Sequence, residues 1–153
     1  MHTASVTKEI AAPIEAVWSV LDDFGGVETY NPNVVGSRIV GGPDTGTGAR
    51  RECVFHDGGR IQEEITSYEP EAAYTVEFTD VGDFPLKRNV VEISVESVDD
   101  RLTAVTMTAR FTPKFGPVGW ILATLTMKPK FRQTFEEVLD GLESYVAPGS
   151  NRH

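Results

Sequence analysis

The sequence has one cysteine, Cys53, and so no partner for an internal disulfide. That suits a reducing cytoplasm, the expected location. Basic residues are scarce: Lys and Arg total 14 against 23 Asp and Glu, a net charge of -9. A balance this acidic argues against nucleic acid, whose phosphates need Lys and Arg, and against an anionic membrane surface. No apolar run approaches the roughly 20 residues of a membrane span, so no stable membrane insertion is expected. The first residues lack the basic and apolar pattern of a signal peptide. There is no internal repeat, low-complexity segment or linker. Histidine is rare too, and only His56 lies away from the termini. One histidine and one cysteine on opposite faces of one strand make neither a metal site nor a Cys/His nucleophilic pair. Glu63 and Glu64 are neighbours on a strand, point to opposite faces and cannot share a proton. No triad or carboxylate dyad emerges, and no metal or cofactor is expected.

What is present is a train of short alternating segments punctuated by glycine and proline. Residues 5–11 read as a first strand. Pro13 then opens a short helix, where its missing N–H costs nothing. Ile14, Val17, Trp18 and Leu21 fall at i, i+3, i+4 and i+7, one apolar stripe. Gly25-Gly26 end that helix, and residues 27–30 suggest a second short turn before Asn31-Pro32. Six strands are predicted over residues 35–40, 49–56, 60–68, 72–80, 88–98 and 102–112. Val91, Ile93 and Val95 face one way, and Glu92, Ser94 and Glu96 the other. Val105, Met107, Ala109 and Phe111 alternate in the same manner with Thr106, Thr108 and Arg110. Each strand thus has one wet and one dry face, as in an open antiparallel sheet.

A register follows for one hairpin. A turn at Asp57-Gly58-Gly59 with Gly59 left-handed pairs His56 with Arg60, Phe55 with Ile61, Cys53 with Glu63 and Arg51 with Ile65. Phe55, Cys53, Ile61 and Ile65 then share a dry face, which a one-residue slip would scatter. Arg51 and Glu63 lie on that face as diagonal neighbours, about 7–8 Å apart at the backbone and within reach of each other's side chains.

Residues 116–146 read as one long helix, spanning roughly 45 Å at 1.5 Å per residue. Trp120, Thr124, Met127, Phe131, Phe135, Val138, Leu142 and Tyr145 follow the 3.6-residue period. Pro129 removes one hydrogen bond and crowds the carbonyl of Leu125, so a kink or break is expected there. The half before it, from Val118 to Met127, is apolar on nearly all sides. That pattern reads first as a buried helix half. The alternatives are a cavity cover, a dimer face or a contact with a membrane or lipid carrier. The half after it is amphipathic.

The element order carries a resemblance. Ala12-Pro13-Ile14-Glu15-Ala16-Val17-Trp18 is similar to the opening motif of the START/Bet v 1-like (SRPBCC) superfamily, in its polyketide cyclase/dehydrase and lipid-transport-like branch. The segment from Phe24 to Pro32 resembles the next motif of that branch, with Tyr30 where tryptophan is usual. Gly46-Thr47-Gly48-Ala49-Arg50-Arg51 resembles its strand entry. Two further strands are similar, from Ile61 to Tyr68 and from Thr106 to Pro113. The resemblance implies an α+β helix-grip fold, with a seven-stranded curved antiparallel sheet wrapped around a long C-terminal helix. Two short helices would follow the first strand. Residues 1–147 would form one domain and 148–153 a flexible tail.

In such a fold a cavity lies between sheet and helix, largely apolar with a few polar groups. Its expected wall is Arg51, Phe55, Ile61, Glu63 and Ile65, then Tyr74, Val76 and Phe78, then Val91, Ile93, Val105 and Met107. Met127, Phe131 and Phe135 would face it from the helix. Phe84 and Leu86 stand as exposed apolar residues in the loop at its mouth, covering a ligand or partner or sealing the core end. Arg51 and Glu63 are the candidate catalytic pair, Glu63 as general acid or base and Arg51 orienting a polar group. The plainer reading is a structural ion pair. His56 reads as a solvated turn residue. Gly46-Thr47-Gly48 reads as a turn, since a dinucleotide fingerprint needs a helix behind it. The leading expectation is binding of an apolar or aromatic small molecule, such as a lipid, polyketide or related metabolite. The alternatives are a cyclase or dehydratase using the same cavity, and a protein-partner-binding module, with a homodimer possible.

Overall fold

The computed structural model describes residues 2–82, 86–114 and 116–147. Phe84 and the 148–153 tail lie outside the described residues. Strand β1 (His2–Ile10) leads into α1 (Ile14–Asp22), whose Val17, Trp18 and Leu21 are buried. A 3-10 turn (Phe24–Thr29) follows, burying Phe24 and Val27. Then come β2 (Val34–Gly41), β3 (Arg50–Phe55), β4 (Arg60–Glu69), β5 (Ala73–Asp80), β6 (Leu86–Asp99) and β7 (Leu102–Pro113). They form one seven-stranded antiparallel sheet in the order β1-β7-β6-β5-β4-β3-β2. Strands β2 to β7 are thus a run of sequential neighbours, and the first strand closes against the last.

The dry face is continuous by register. Ile65 opposes Val76, Val76 opposes Val91, and Val91 opposes Ala109. One row along, Tyr74 opposes Ile93 and Ile93 opposes Met107. All of these are buried. The C-terminal helix packs over this face through Phe135, Val138, Leu139 and Leu142, giving the expected helix-grip arrangement. Lys8 of β1 ties the outer side of the helix, pairing with Asp140 at 2.8 Å and Glu143 at 3.4 Å.

Three expectations are corrected. Leu86 does not stand in an exposed loop; it opens β6 opposite Pro113 and is buried. The β3–β4 hairpin turns one residue earlier than expected. Gly58, not Gly59, takes the left-handed conformation (φ 88°), and Asp57 accepts a hydrogen bond from the Gly59 N–H at 2.8 Å. That pairs Cys53 with Ile61 and Arg51 with Glu63. The strands move by two residues, so the dry face keeps its members while the polar pair becomes directly opposed.

The third correction concerns the helix. It runs as α2 (Gly116–Leu122), a wide π turn (Ala123–Met127) and α3 (Lys128–Val146). Pro129 sits in the first turn of α3, and the wide turn absorbs its missing N–H without breaking the chain. The hydroxyls of Thr124 and Thr126 donate back to the carbonyls of Trp120 (3.2 Å) and Leu122 (2.6 Å). The apolar half before Pro129 is not buried: Val118, Trp120, Ile121, Leu122 and Leu125 are exposed. Only Gly119 of α2 is buried, because α2 leans on little more than the end of β7.

Candidate functional site

The inner face of β3 and β4 carries two charges in an apolar setting. Arg51 Nε donates to Glu63 Oε1 at 3.0 Å, and both side chains are under a tenth exposed. Arg51 Nη1 donates to the Phe24 carbonyl at 3.0 Å, and its guanidinium carbon lies 4.0 Å from the centre of the Phe24 ring. The 3-10 turn is thus tied to the sheet by Arg51, and also by Ser37 of β2, whose hydroxyl donates to the Gly25 carbonyl at 2.6 Å. Burial opposes the charge on Arg51, but Glu63 outweighs it and holds the guanidinium protonated well above its usual range. The Cys53 thiol lies 3.5 Å from the same Glu63 oxygen. Burial, and then the Glu63 charge, push that thiol up to about 12. It is a protonated, inert thiol at neutral pH rather than a nucleophile.

Two phenols complete the cluster. Tyr30, from the end of the 3-10 turn, and Tyr74, from β5, are both buried. Burial raises both phenols above their ordinary range. Each feels the other and the Arg51–Glu63 pair. The Tyr74 ring meets Trp18 and Phe24 edge-on, each at a centroid distance of 6.0 Å. Its buried hydroxyl has the Tyr30 hydroxyl as its hydrogen-bonding neighbour.

Most expected wall residues are brought onto this one face. Ile61, Ile65, Tyr74, Val76, Val91, Ile93, Val105 and Met107 are buried there, with Arg51 and Glu63. Phe135 is buried from the helix side. Phe55, Phe78, Met127 and Phe131 are half-buried against the same core. Phe131 meets Phe111 with centroids 4.6 Å apart and ring planes tilted by 32°. Two surface grooves are formed elsewhere, one of about 540 Å³ along β1 and the helix and one of about 210 Å³ beside α1. Neither is lined by an expected wall residue.

One inner-face residue escapes the sequence reading. Asn89 of β6 is fully buried, and neither Nδ2 nor Oδ1 has a hydrogen-bond partner. Its signal was parity: it lies two residues before Val91, on the same face. Buried polar atoms without partners are rare in native proteins. His56 is exposed in the hairpin turn, with Nε2 2.9 Å from the Pro32 carbonyl oxygen. Gly46 and Gly48 both have positive φ in a turn. Among the described residues no three His, Cys, Asp or Glu side chains are grouped to hold a metal ion.

With this geometry in hand, comparisons with known proteins decide the family. Residues 1–147 match the family model of polyketide cyclase/dehydrase and lipid transport. The chain belongs to this family. No curated protein sequence matches it. Solved structures share the family fold at low identity. The protein XoxI from Bacillus cereus is 19 % identical with a TM-score of 0.80, covering 99 % of this chain and 100 % of its own. A START superfamily protein from Mycobacterium smegmatis is 18 % identical with a TM-score of 0.79, covering 97 % and 99 %. Norcoclaurine synthase from Thalictrum flavum, in complex with a transition-state analogue, is 14 % identical with a TM-score of 0.74, covering 98 % and 96 %.

Proposed function

We propose that this member of the family binds an apolar or aromatic small molecule bearing a hydrogen-bonding group. The site is the interior between the inner sheet face and the C-terminal helix. One observation carries the reading: the largely apolar face holds a fully buried amide, Asn89, neither of whose side-chain polar atoms has a hydrogen-bond partner. Leaving each unmade costs about 1–3 kcal/mol, and a ligand with a hydroxyl, carbonyl or amide would recover it. The surrounding aromatic and branched side chains suit a lipid, polyketide or related metabolite. The family description and the analogue held by a synthase of the same fold support this direction. Binding is favoured over acid–base catalysis for the charged pair. Arg51 is already committed to Glu63 and to the Phe24 carbonyl, the pattern of a structural brace.

The test is native mass spectrometry of freshly purified protein, followed by titration with an apolar fluorescent probe. Asn89→Leu is expected to raise the melting temperature of the free protein. The same change is expected to weaken ligand binding by about tenfold, since it removes the polar atoms left for the ligand. The reading fails if no small molecule accompanies the protein and no probe binds. It fails equally if Asn89→Leu binds as the wild type does.

A further inference from the structure

The exposed half of the helix has the pattern of a face meant to be covered. Val118, Ile121, Leu122 and Leu125 stand at i, i+3, i+4 and i+7, and each is at least 50 % exposed. The stripe that ordinarily faces a core therefore faces outward. Trp120 beside it is 45 % exposed, with its ring centroid 3.9 Å from that of His2.

Charge is segregated around this stripe. Residues 101–135 hold six of the 14 basic residues and none of the 23 acidic ones. Lys114, Lys128, Lys130 and Arg132 bracket the stripe along the chain. Among the described residues none of these four is in an ion pair. Lys128 and Arg132 line the 540 Å³ groove together with the hydroxyl residues Thr3, Ser5 and Thr124. Thr124 belongs to the same π turn as Leu125, so the polar groove and the apolar stripe adjoin.

The occupant follows from this pairing. A second copy fits poorly, because in a two-fold contact the patch meets itself and its cationic rim faces an identical rim. No described helix is long and apolar enough to cross a membrane. An apolar helical stripe with tryptophan at its border and lysines on its flanks is the composition of a helix lying in a bilayer interface. The geometry points to a peripheral docking surface for an anionic phospholipid bilayer. The apolar stripe enters the headgroup region, and Lys128 and Arg132 meet lipid phosphates in the groove. The chain's net charge of -9 argues against such a surface only on average. Its acidic remainder is repelled by the bilayer and turns this end toward it. The surface is independent of the interior ligand site.

Sedimentation with vesicles tests it, comparing phosphatidylcholine alone with phosphatidylcholine mixed with phosphatidylglycerol. Binding to the anionic vesicles is expected to exceed that to neutral ones by at least about tenfold. It is expected to fade as salt rises from about 0.1 M to 1 M and the Debye length falls from about 10 Å to 3 Å. Tryptophan emission is expected to shift blue on anionic vesicles, from Trp120. Ile121→Glu with Leu125→Glu, and separately Lys128→Glu with Arg132→Glu, are each expected to cut binding about tenfold or more. Melting temperatures are expected to hold, since none of these side chains belongs to the buried core. No binding, equal binding to both vesicle types, or binding that survives both pairs of substitutions overturns the proposal. A dimer in sedimentation equilibrium that Ile121→Glu with Leu125→Glu dissociates also overturns it.

Discussion

Arg51 and Glu63 face each other directly across β3 and β4, joined at 3.0 Å, with 6 % and 7 % of their side chains exposed. Burying two charges is costly, and their attraction offsets that cost only while both are present. Glu63→Gln leaves the Arg51 charge buried without its counter-charge, so a loss of about 3–5 kcal/mol is expected. Arg51→Met with Glu63→Leu removes both charges and is expected to cost much less than the two single changes together. Urea unfolding of the four proteins closes the cycle. A double variant as unstable as the sum of the singles would show that the residues act separately.

The turn that sets this pairing gives a second prediction. Gly58 has a φ of 88° and open space around its Cβ position, whereas Gly59 lies in an ordinary conformation. Alanine at 58 is strained by its backbone alone, at about 1–2 kcal/mol. Alanine at 59 meets only the flexible Asp57 carboxylate, at 3.0 Å. Gly58→Ala is therefore expected to destabilise more than Gly59→Ala, and Gly58→Asn to restore part of the loss. Melting curves that reverse this order would place the left-handed residue at Gly59 and return Arg51 and Glu63 to diagonal positions.

Alkaline pH is expected to unfold the protein through the same cluster. In the unfolded chain a thiol ionises near about 8.5, while burial and Glu63 push Cys53 up to about 12 in the fold. The folded value is the higher one. Its contribution to stability is full below the unfolded value and is lost as pH rises toward the folded one. Tyr30 and Tyr74, raised by burial, act in the same direction above about pH 10. Urea midpoints are expected to fall between about pH 8.5 and 10, and to fall less in Cys53→Ala. Thiol labelling at about pH 8 is expected to be far slower in the native protein than in urea. Fast native labelling would contradict the burial and the pairing.

Alternation made the sheet legible: Val91, Ile93 and Val95 announce a dry face whatever the register, because a two-residue slip preserves parity. The polar site was half legible for the same reason. Arg51 and Glu63 could be placed on that face, but their direct opposition hangs on which glycine turns, and Gly58 and Gly59 are alike in sequence. Asn89 obeyed the parity rule and was overlooked because no pattern of residues marks a buried amide. The exposure of Leu125 and Ile121 was not legible at all. An all-apolar helix is buried only if something lies over it, and the extent of β7 beneath α2 is a tertiary fact. Pro129 signalled an irregularity, but not that a wide turn would absorb it.

The last prediction concerns how the helix is seated. Gly141 lies in the middle of α3, where alanine ordinarily gains about 1 kcal/mol over glycine. Here a Cβ would lie 2.0 Å from the Tyr30 carbonyl oxygen and 3.4 Å from Pro32 Cδ. Neither neighbour is the far end of a flexible side chain, so the helix or the Tyr30 segment must move. Gly141→Ala is therefore expected to destabilise by about 1–3 kcal/mol, against its helix propensity. The displacement has a direction. Tyr30 belongs to the buried cluster and feels Arg51, Glu63 and Cys53. Pushing its backbone away loosens the packing of that cluster, and native labelling of Cys53 is expected to quicken in this variant. Alanine at a freely exposed α3 position such as Gln133 makes the control, since it leaves the cluster untouched. A Gly141→Ala protein as stable as the wild type, with Cys53 still slow to label, would mean that the helix does not rest on Tyr30.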